Sequence, residues 1–305
     1  LFWGTIGCFA CIIFFKIGSA WVWLCFALGG KGTGKYKESG KMFVVLTKEK
    51  RKGLRRLFGG RRKPWEEQDI LGTPFAVVPL GKRTNWAKLQ KIVGRYASRV
   101  VVPPGLKLPN SKIWRAFAGE RFEEKLLENT VKSLADGLGL AAERIAVGVA
   151  DTNAKHQALV EDLLQFFPNV TVYCQERESY QEFSREILEE YGAPLAVTQE
   201  PQGLRGCQFI LSLEEMPQGA QWGGLLLTTK EMGSKGGRAV EKLRPLWPEE
   251  MLEKLPEDID PMNFFCAMLE LGRCHYALSM QGEQGQIEGE PAVWLDIVEE
   301  ARLLL

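Results

Sequence analysis

Residues 144 to 213 alternate between short apolar runs and longer amphipathic segments, and this alternation restricts the folds that the chain can adopt. The apolar runs have the length of strands, and the amphipathic segments repeat apolar residues every three or four positions, as helices do. The predicted order is strand, helix, strand, helix, strand, strand. Such alternation is typical of βαβ units and predicts a parallel sheet.

Further elements are predicted on both sides of this region. Upstream, strands at 75 to 80 and 100 to 102 enclose a helix that Thr84 caps, and a long amphipathic helix over 120 to 138 leads into the regular core. Downstream, the pattern predicts a strand at 224 to 229, a helix from about Ala239, a polar loop at 281 to 291 and a last helix at 292 to 304.

The predicted fold class is therefore α/β: a mostly parallel sheet with helices on both faces, a small N-terminal βαβ unit and C-terminal helices. The expected organisation has five parts. They are an apolar segment at 1–30, a basic linker at 31–69, a small α/β unit with its connecting helix at 70–143, the core at 144–230 and a helical region at 231–305.

The first core strand runs into a turn that holds Asp151, Thr152 and Asn153. The element order around it resembles the Rossmann-like superfamily, particularly two-domain dehydrogenases in which a small α/β unit and a long helix precede the cofactor domain. That resemblance implies NAD(P) at this turn, where Gly-x-Gly-x-x-Gly lets the backbone approach the pyrophosphate. The signature glycines are absent. Asp151 disfavours a phosphate by its charge and suits the capping of the next helix.

The candidate ligand residues follow from the position of the strands, because ligands of open α/β sheets lie beyond the carboxyl ends of the strands. Asp151, Thr152 and Asn153 follow the first core strand, and Glu176 and Arg177 follow the second. By the resemblance, Glu176 stands where a ribose-binding acid is expected. Arg177 instead suits a 2′-phosphate. The expected partner at this edge is a small molecule or a protein.

Lys235 is the last predicted cofactor-binding residue, since it lies in a Gly-rich turn that precedes a predicted helix and suits an anion. No catalytic residue is assigned. No metal site is predicted either. Histidines occur only at 156 and 275, which excludes a multi-histidine centre, and the seven cysteines lack the paired spacing of a zinc site.

Residues 48 to 63 carry nine Lys or Arg and one Glu. Their local charge of +8 leaves −7 for the remainder, since the whole chain carries +1. Leu54, Leu57 and Phe58 can share one face of a short basic helix, which predicts contact with an anionic membrane surface. Nucleic acid is not expected as a partner, because no nucleic-acid-binding signature accompanies the charge.

The first 41 residues allow two interpretations. Phe2 to Leu28 is almost continuously apolar, long enough for a transmembrane helix of about 20 residues. The lysines that follow then place the rest in the cytoplasm, tethered to the inner membrane. Alternatively, residues 1 to 41 are translated upstream bacterial DNA, because Lys37-Glu38 can be encoded as a ribosome-binding sequence ahead of Met42. Both interpretations predict a cytoplasmic body.

Three functions are compatible with these patterns. The first is a non-catalytic Rossmann-like module that binds a ligand or a partner, which the missing glycines favour. The second is a nucleotide- or NAD(P)-dependent enzyme, oxidoreductase-like, with a degenerate fingerprint. The third is a membrane-anchored module in which residues 1 to 63 make the attachment. The sequence does not decide whether the chain is an enzyme.

Overall fold

A computed structural model describes most of the chain. The described residues are 13–17, 20–24, 42–48, 65–81, 84–117, 119–192, 194–217, 219–232, 236–272 and 278–304. The chain forms two compact units, Leu1–Gly40 and Lys41–Leu305. In the described residues, no helix is both long enough and apolar enough to cross a membrane.

The first unit contains two antiparallel strands, β1 (Ile13–Ile17) and β2 (Ala20–Leu24). The prediction of one long apolar helix is therefore wrong for these residues, because their backbones pair with each other instead. The remainder of the predicted transmembrane segment lies outside the described residues. Residues 49 to 64 also lie outside them, so the contact of segment 48 to 63 with a membrane surface stays a prediction.

The second unit begins with a four-stranded sheet in the order β4-β5-β3-β6. Its strands are β3 (Phe43–Lys48), β4 (Glu66–Ile70), β5 (Thr73–Leu80) and β6 (Val100–Val101). β3 is parallel to β5 and β6, and β4 is antiparallel to β5. β3 lies inside the expected basic linker at 31–69, and β4 ends one residue beyond it. β3 was not predicted, although the side chains from Phe43 to Leu46 are apolar and buried.

One helix covers a face of this small sheet. It is α1 (Trp86–Val93), followed by a 3-10 helix (Gly94–Ser98). Asn85 rather than the predicted Thr84 caps α1, because the Asn85 side chain accepts the N–H of Lys88 while the Thr84 hydroxyl donates to the carbonyl of Gly81. The buried Leu89 and Val93 of α1 pack on the sheet.

The large sheet has eight strands in the order β14-β13-β12-β11-β10-β7-β8-β9. They are β7 (Ala146–Ala150), β8 (Asn169–Tyr173), β9 (Ala196–Thr198), β10 (Phe209–Ser212), β11 (Leu225–Thr228), β12 (Ala239–Arg244), β13 (Gln284–Ile287) and β14 (Glu290–Val293). The six from β7 to β12 are parallel, and the last two are antiparallel. Counted from β7, the parallel strands stand in the order 3-2-1-4-5-6. This is the order of the dinucleotide-binding fold, so the predicted Rossmann-like α/β class is confirmed.

The two faces of the large sheet are covered differently. The other α-helices whose bounds the structure describes are α2 (Glu120–Gly137), α3 (Gln157–Leu164), α4 (Arg177–Tyr191), α5 (Glu249–Lys254), α6 (Pro261–Glu270) and α7 (Trp294–Arg302). Residues of α2, α3, α4 and α7 form one core with the valines of β7 and β8. The opposite face packs on a 3-10 helix (Pro201–Leu204) and on loops that supply Met216, Trp222 and Met232.

α2 belongs to the hydrophobic cores of both sheets. Phe122 and Leu126 pack with the small sheet and α6, whereas Leu127, Val131 and Leu134 pack under the large sheet. All five are fully buried. In the described residues, α2 is therefore buried by both sheets. Its position agrees with the predicted helix that connects the small unit to the core.

After residue 230 the predicted last helix is confirmed as α7, whereas the predicted helix from about Ala239 and the predicted loop at 281 to 291 are wrong. Residues 239 to 244 form strand β12 and not the start of a helix, and the expected loop at 281 to 291 holds β13 and most of the hairpin to β14. The pattern of residues 239 to 244 also suits a helix. Pairing with β11 decides in favour of a strand, because strand formation depends on neighbours distant in sequence.

Gly224 lies just before β11, in close contact with the backbone that leads into β10. A Cβ at this position would overlap the carbonyl oxygens of Cys207 and Gln208, whereas a Cβ at the exposed Gly206 would meet nothing within 4 Å. We expect Gly224→Ala to lower the free energy of unfolding by about 1–3 kcal/mol or more, because backbone must move to admit the methyl group. Gly206→Ala should change it by less than about 0.5 kcal/mol. Urea denaturation measures both, and equal effects would contradict the close approach.

Candidate ligand site at the carboxyl ends of the strands

Asp151 is the centre of a hydrogen-bonded network directly after β7. Its side chain is fully buried. Oδ1 accepts the N–H of Lys155 at 2.8 Å, and Oδ2 accepts the N–H of His156 at 2.7 Å and the O–H of Tyr180 at 2.6 Å. Burial of a carboxylate requires such donors. Asp151 thus holds the turn that leads into α3, whose N-cap is His156. Asp151 was expected to cap the following helix. Its carboxylate instead accepts N–H groups of the turn just before α3.

Tyr180 reaches Asp151 from α4 and is itself fully buried. Burial raises the pKa of the Tyr180 phenol, and the neighbouring Asp151 carboxylate raises it further. Both effects favour the neutral phenol, which donates its hydrogen bond to Asp151. It joins the second strand–helix unit to the turn of the first.

His156 connects this turn to α2. Its Nδ1 lies 2.8 Å from Oε1 of Glu124, and its side chain is only 5% exposed. Burial lowers the pKa of His156, but the hydrogen bond with Glu124 and the Asp151 carboxylate outweigh burial, so that the pKa is raised overall. The helix shared by both cores therefore also supplies a side chain to the site.

Glu214 closes the site from the other side, in the loop after β10. Nδ2 of Asn153 lies 3.1 and 3.3 Å from its two carboxylate oxygens, and Nζ of Lys155 lies 3.6 Å from Oε1. β7 and β10 are neighbours from which the strand order runs in opposite directions. Ligands of such sheets bind in the crevice at this reversal. Here side chains of the protein itself bridge the crevice.

The six predicted cofactor-binding residues are not all brought together. Asp151 and Asn153 belong to the network, and the carbonyl of the half-buried Thr152 accepts the N–H of Gln175. Glu176 and Arg177 are exposed at the start of α4. No hydrogen bond or ion pair between described residues joins either of them to Asp151. Lys235 lies outside the described residues, so its role stays a prediction.

Sequence reasoning did not identify Glu124, His156, Tyr180 or Glu214 as members of this site. Their side chains form three hydrogen-bonded pairs, with Asp151, with Asn153 and between His156 and Glu124, whose members are 29 to 61 positions apart in sequence. No local periodicity relates residues so far apart. The available signal was the position of Glu214 just after a predicted strand, at the same edge as Asp151.

Comparison with known proteins adds little to this description. No protein-family model and no curated protein matches the chain. Among solved structures, quinate dehydrogenase from Corynebacterium glutamicum in complex with NAD is similar at 8% identity and a TM-score of 0.31, over 62% of this chain and 80% of that one. Ornithine carbamoyltransferase from Pyrococcus furiosus is similar at 10% identity and a TM-score of 0.34, over 79% and 85%. A shikimate 5-dehydrogenase-like protein is similar at 9% identity and a TM-score of 0.30, over 77% and 90%. The fold assignment rests on the strand order and not on these matches.

The hydrogen bond from Tyr180 to Asp151 can be tested by removing the phenolic oxygen. We expect Tyr180→Phe to lower the free energy of unfolding by about 1.5–3 kcal/mol, because it removes a donor from a buried carboxylate. Tyr191→Phe is the matched control, since Tyr191 donates to Glu161 nearer the surface of α4. Tyr191→Phe should lower the free energy of unfolding by a clearly smaller amount. Urea denaturation of both variants measures the difference, and equal losses would show that Tyr180 does not support the turn.

Proposed function

We propose that this chain is a non-catalytic binding protein of Rossmann-like fold that does not hold a dinucleotide at the switch point of its large sheet. One observation carries the proposal: the Asp151 carboxylate accepts the N–H groups of Lys155 and His156 and the O–H of Tyr180. The ligand or partner meets the exposed polar side chains at the carboxyl ends of the strands instead.

The donors that a pyrophosphate needs are already occupied in this chain. In dinucleotide sites, backbone N–H groups at the start of the first helix meet the phosphate oxygens. In this chain the N–H groups of Lys155 and His156 already donate to an internal anion. A pyrophosphate would have to displace Asp151 or lie beside it, and repulsion between like charges is strong where water is excluded.

Side chains of the protein also restrict access to the crevice between the ends of β7 and β10. Glu214 bridges it through Asn153 and Lys155 and adds a second carboxylate. Its side chain is 20% exposed. A dinucleotide would have to break these contacts and then bind next to Glu214. The occupied N–H donors and the carboxylate of Glu214 both disfavour an anionic ligand in the crevice.

The described cysteines and His156 are poorly suited to nucleophilic catalysis. Among the described residues, the cysteines at 174, 207 and 266 are buried, and burial raises the pKa of each thiol. Thiols of this kind are poor nucleophiles, because the thiolate is the reactive form. The ring of His156 is buried and pairs with Glu124. These groups support a binding function in preference to nucleophilic catalysis.

The ligand-facing residues of this proposal are Asn153, Glu176 and Arg177. All three are exposed at the ends of β7 and β8. The turns that carry them pack together, since the N–H of Gln175 donates to the carbonyl of Thr152 at 3.2 Å. They offer an amide, an acid and a guanidinium on one edge of the sheet. Such a surface suits a polar small molecule or a polar segment of a partner.

A nucleotide screen tests the exclusion of a dinucleotide. We expect NAD⁺, NADH, NADP⁺ and NADPH at millimolar concentration to leave the melting temperature unchanged, because the donors of the turn are occupied. A ligand at 100 times its dissociation constant would add about 2.7 kcal/mol of stability and would be readily detected.

The matched variants are Arg177→Ala and Arg185→Ala, two exposed arginines of α4. Stabilisation of the wild type by NADP⁺ that disappears in Arg177→Ala and persists in Arg185→Ala would overturn the proposal. It would establish the NAD(P)-dependent alternative, with Arg177 on the 2′-phosphate.

A further inference from the structure

Three groups that can ligate a metal converge at the network after β7. A ring nitrogen of His156, a carboxylate oxygen of Asp151 and one of Glu214 all lie within 4.8 Å of one another. Asp151 and His156 are buried, and Glu214 is half-buried. The groups come from two loops that follow neighbouring parallel strands, so the backbone holds them at the same edge of the sheet.

The environment of His156 resembles that of a metal-ligating histidine. Such a histidine usually donates the N–H of its other ring nitrogen to a carboxylate, which sets the tautomer and the ring orientation. Nδ1 of His156 faces Glu124 Oε1 at 2.8 Å. In the described part of the chain Nε2 has no hydrogen-bond partner, and it is not one of the fully buried polar atoms without a partner, so it keeps contact with solvent although the side chain is only 5% exposed. With Nδ1 as the donor to Glu124, the lone pair of Nε2 can bind an ion that enters from the solvent.

The two carboxylates are also held in place and retain capacity to bind. An ionised carboxylate offers about four lone-pair sites. Asp151 uses three of them, two on Oδ2 and one on Oδ1, so that one site on Oδ1 remains. Asn153 donates to Glu214 and steadies it at the surface side. The half-buried Glu214 is the group that can move inward.

The charges around the imidazole favour a cation. Three carboxylates, of Asp151, Glu124 and Glu214, surround His156. Lys155, the cation that pairs with Glu214 at 3.6 Å, is 60% exposed. Concentrated negative charge of this kind is unfavourable in a largely buried site. A divalent ion would neutralise it.

We propose that Asp151, His156 and Glu214 bind a first-row divalent transition metal, Zn²⁺ or Mn²⁺, with Nε2 of His156 as the nitrogen ligand. One imidazole and two carboxylates suit these ions better than Ca²⁺, which prefers oxygen ligands alone. Three protein ligands leave a coordination position for water or for an exogenous ligand. The inference goes beyond the proposed function and does not depend on it, because an ion site and a dinucleotide site are tested separately.

The site can be tested on the whole chain after treatment with EDTA and removal of the chelator. Isothermal titration with Zn²⁺ and Mn²⁺ should show one site per chain. Co²⁺ should give a visible d–d spectrum of a nitrogen–oxygen ligand set, without the thiolate charge-transfer band that cysteine ligation produces. Glu214→Gln should weaken Zn²⁺ binding by at least about 100-fold, since it removes a ligand, and Glu124→Gln by about 10–100-fold, since it only orients His156.

Glu215→Gln is the matched control, because Glu215 is the exposed neighbour of Glu214 in the same loop. It should leave the affinity unchanged. Circular dichroism of each variant confirms the fold, and Glu124→Gln keeps the test available if Glu214→Gln does not fold. No saturable binding of Zn²⁺ or Mn²⁺ up to 1 mM would overturn the proposal, and so would equal affinity in the Glu214→Gln, Glu124→Gln and wild-type chains. Neither result would change the conclusion drawn from the nucleotide screen, which tests the proposed function separately.

Discussion

The helix α2 is the element on which the rest of the described fold depends, because two hydrophobic cores bury it from two sides. Phe122 and Leu126 complete the core of the small sheet, and Leu127, Val131 and Leu134 complete that of the large sheet. A helix with so wide an apolar surface cannot be stable in water alone. It ties the two sheets together and carries Glu124 to the turn after β7.

The turn after β7 has the backbone donors of a phosphate site, but they bind the carboxylate of Asp151. The start of a helix presents backbone N–H groups and favours negative charge. Glycines at this turn would leave space for an external phosphate, whereas Asp151 supplies a carboxylate that satisfies the same donors from inside. Glu214 and Glu124 add two further carboxylates nearby. The edge of the sheet that receives an anionic cofactor in related layouts is thus arranged in this chain to favour a cation.

Most elements could be predicted where their apolar residues form a clear pattern within a short stretch of sequence. The apolar runs predicted β7, β8, β9, β10 and β11 to within about two residues, because most of these parallel strands are buried and therefore continuously apolar and short. The long α2 was equally clear from its spacing of apolar residues. The prediction failed for β12 and for the hairpin of β13 and β14, in which only Val240, Leu243 and Ala292 are buried and the other residues are partly buried or exposed. Their conformation depends on pairing with β11 and with one another, and no property of a short window reveals such pairing.

The sequence by itself determined the α/β class, the parallel core and the presence of an aspartate where a dinucleotide fold has glycines. These properties follow from periodicity and from the residue that ends a strand, both of which are local. Only the tertiary structure decided what Asp151 contacts: Tyr180 is 29 positions away, and Glu124 and Glu214 reach the adjoining His156 and Asn153 across 32 and 61 positions. The physical reason is that the order of strands in the sheet, and not their order in the chain, sets which loops meet at its carboxyl edge.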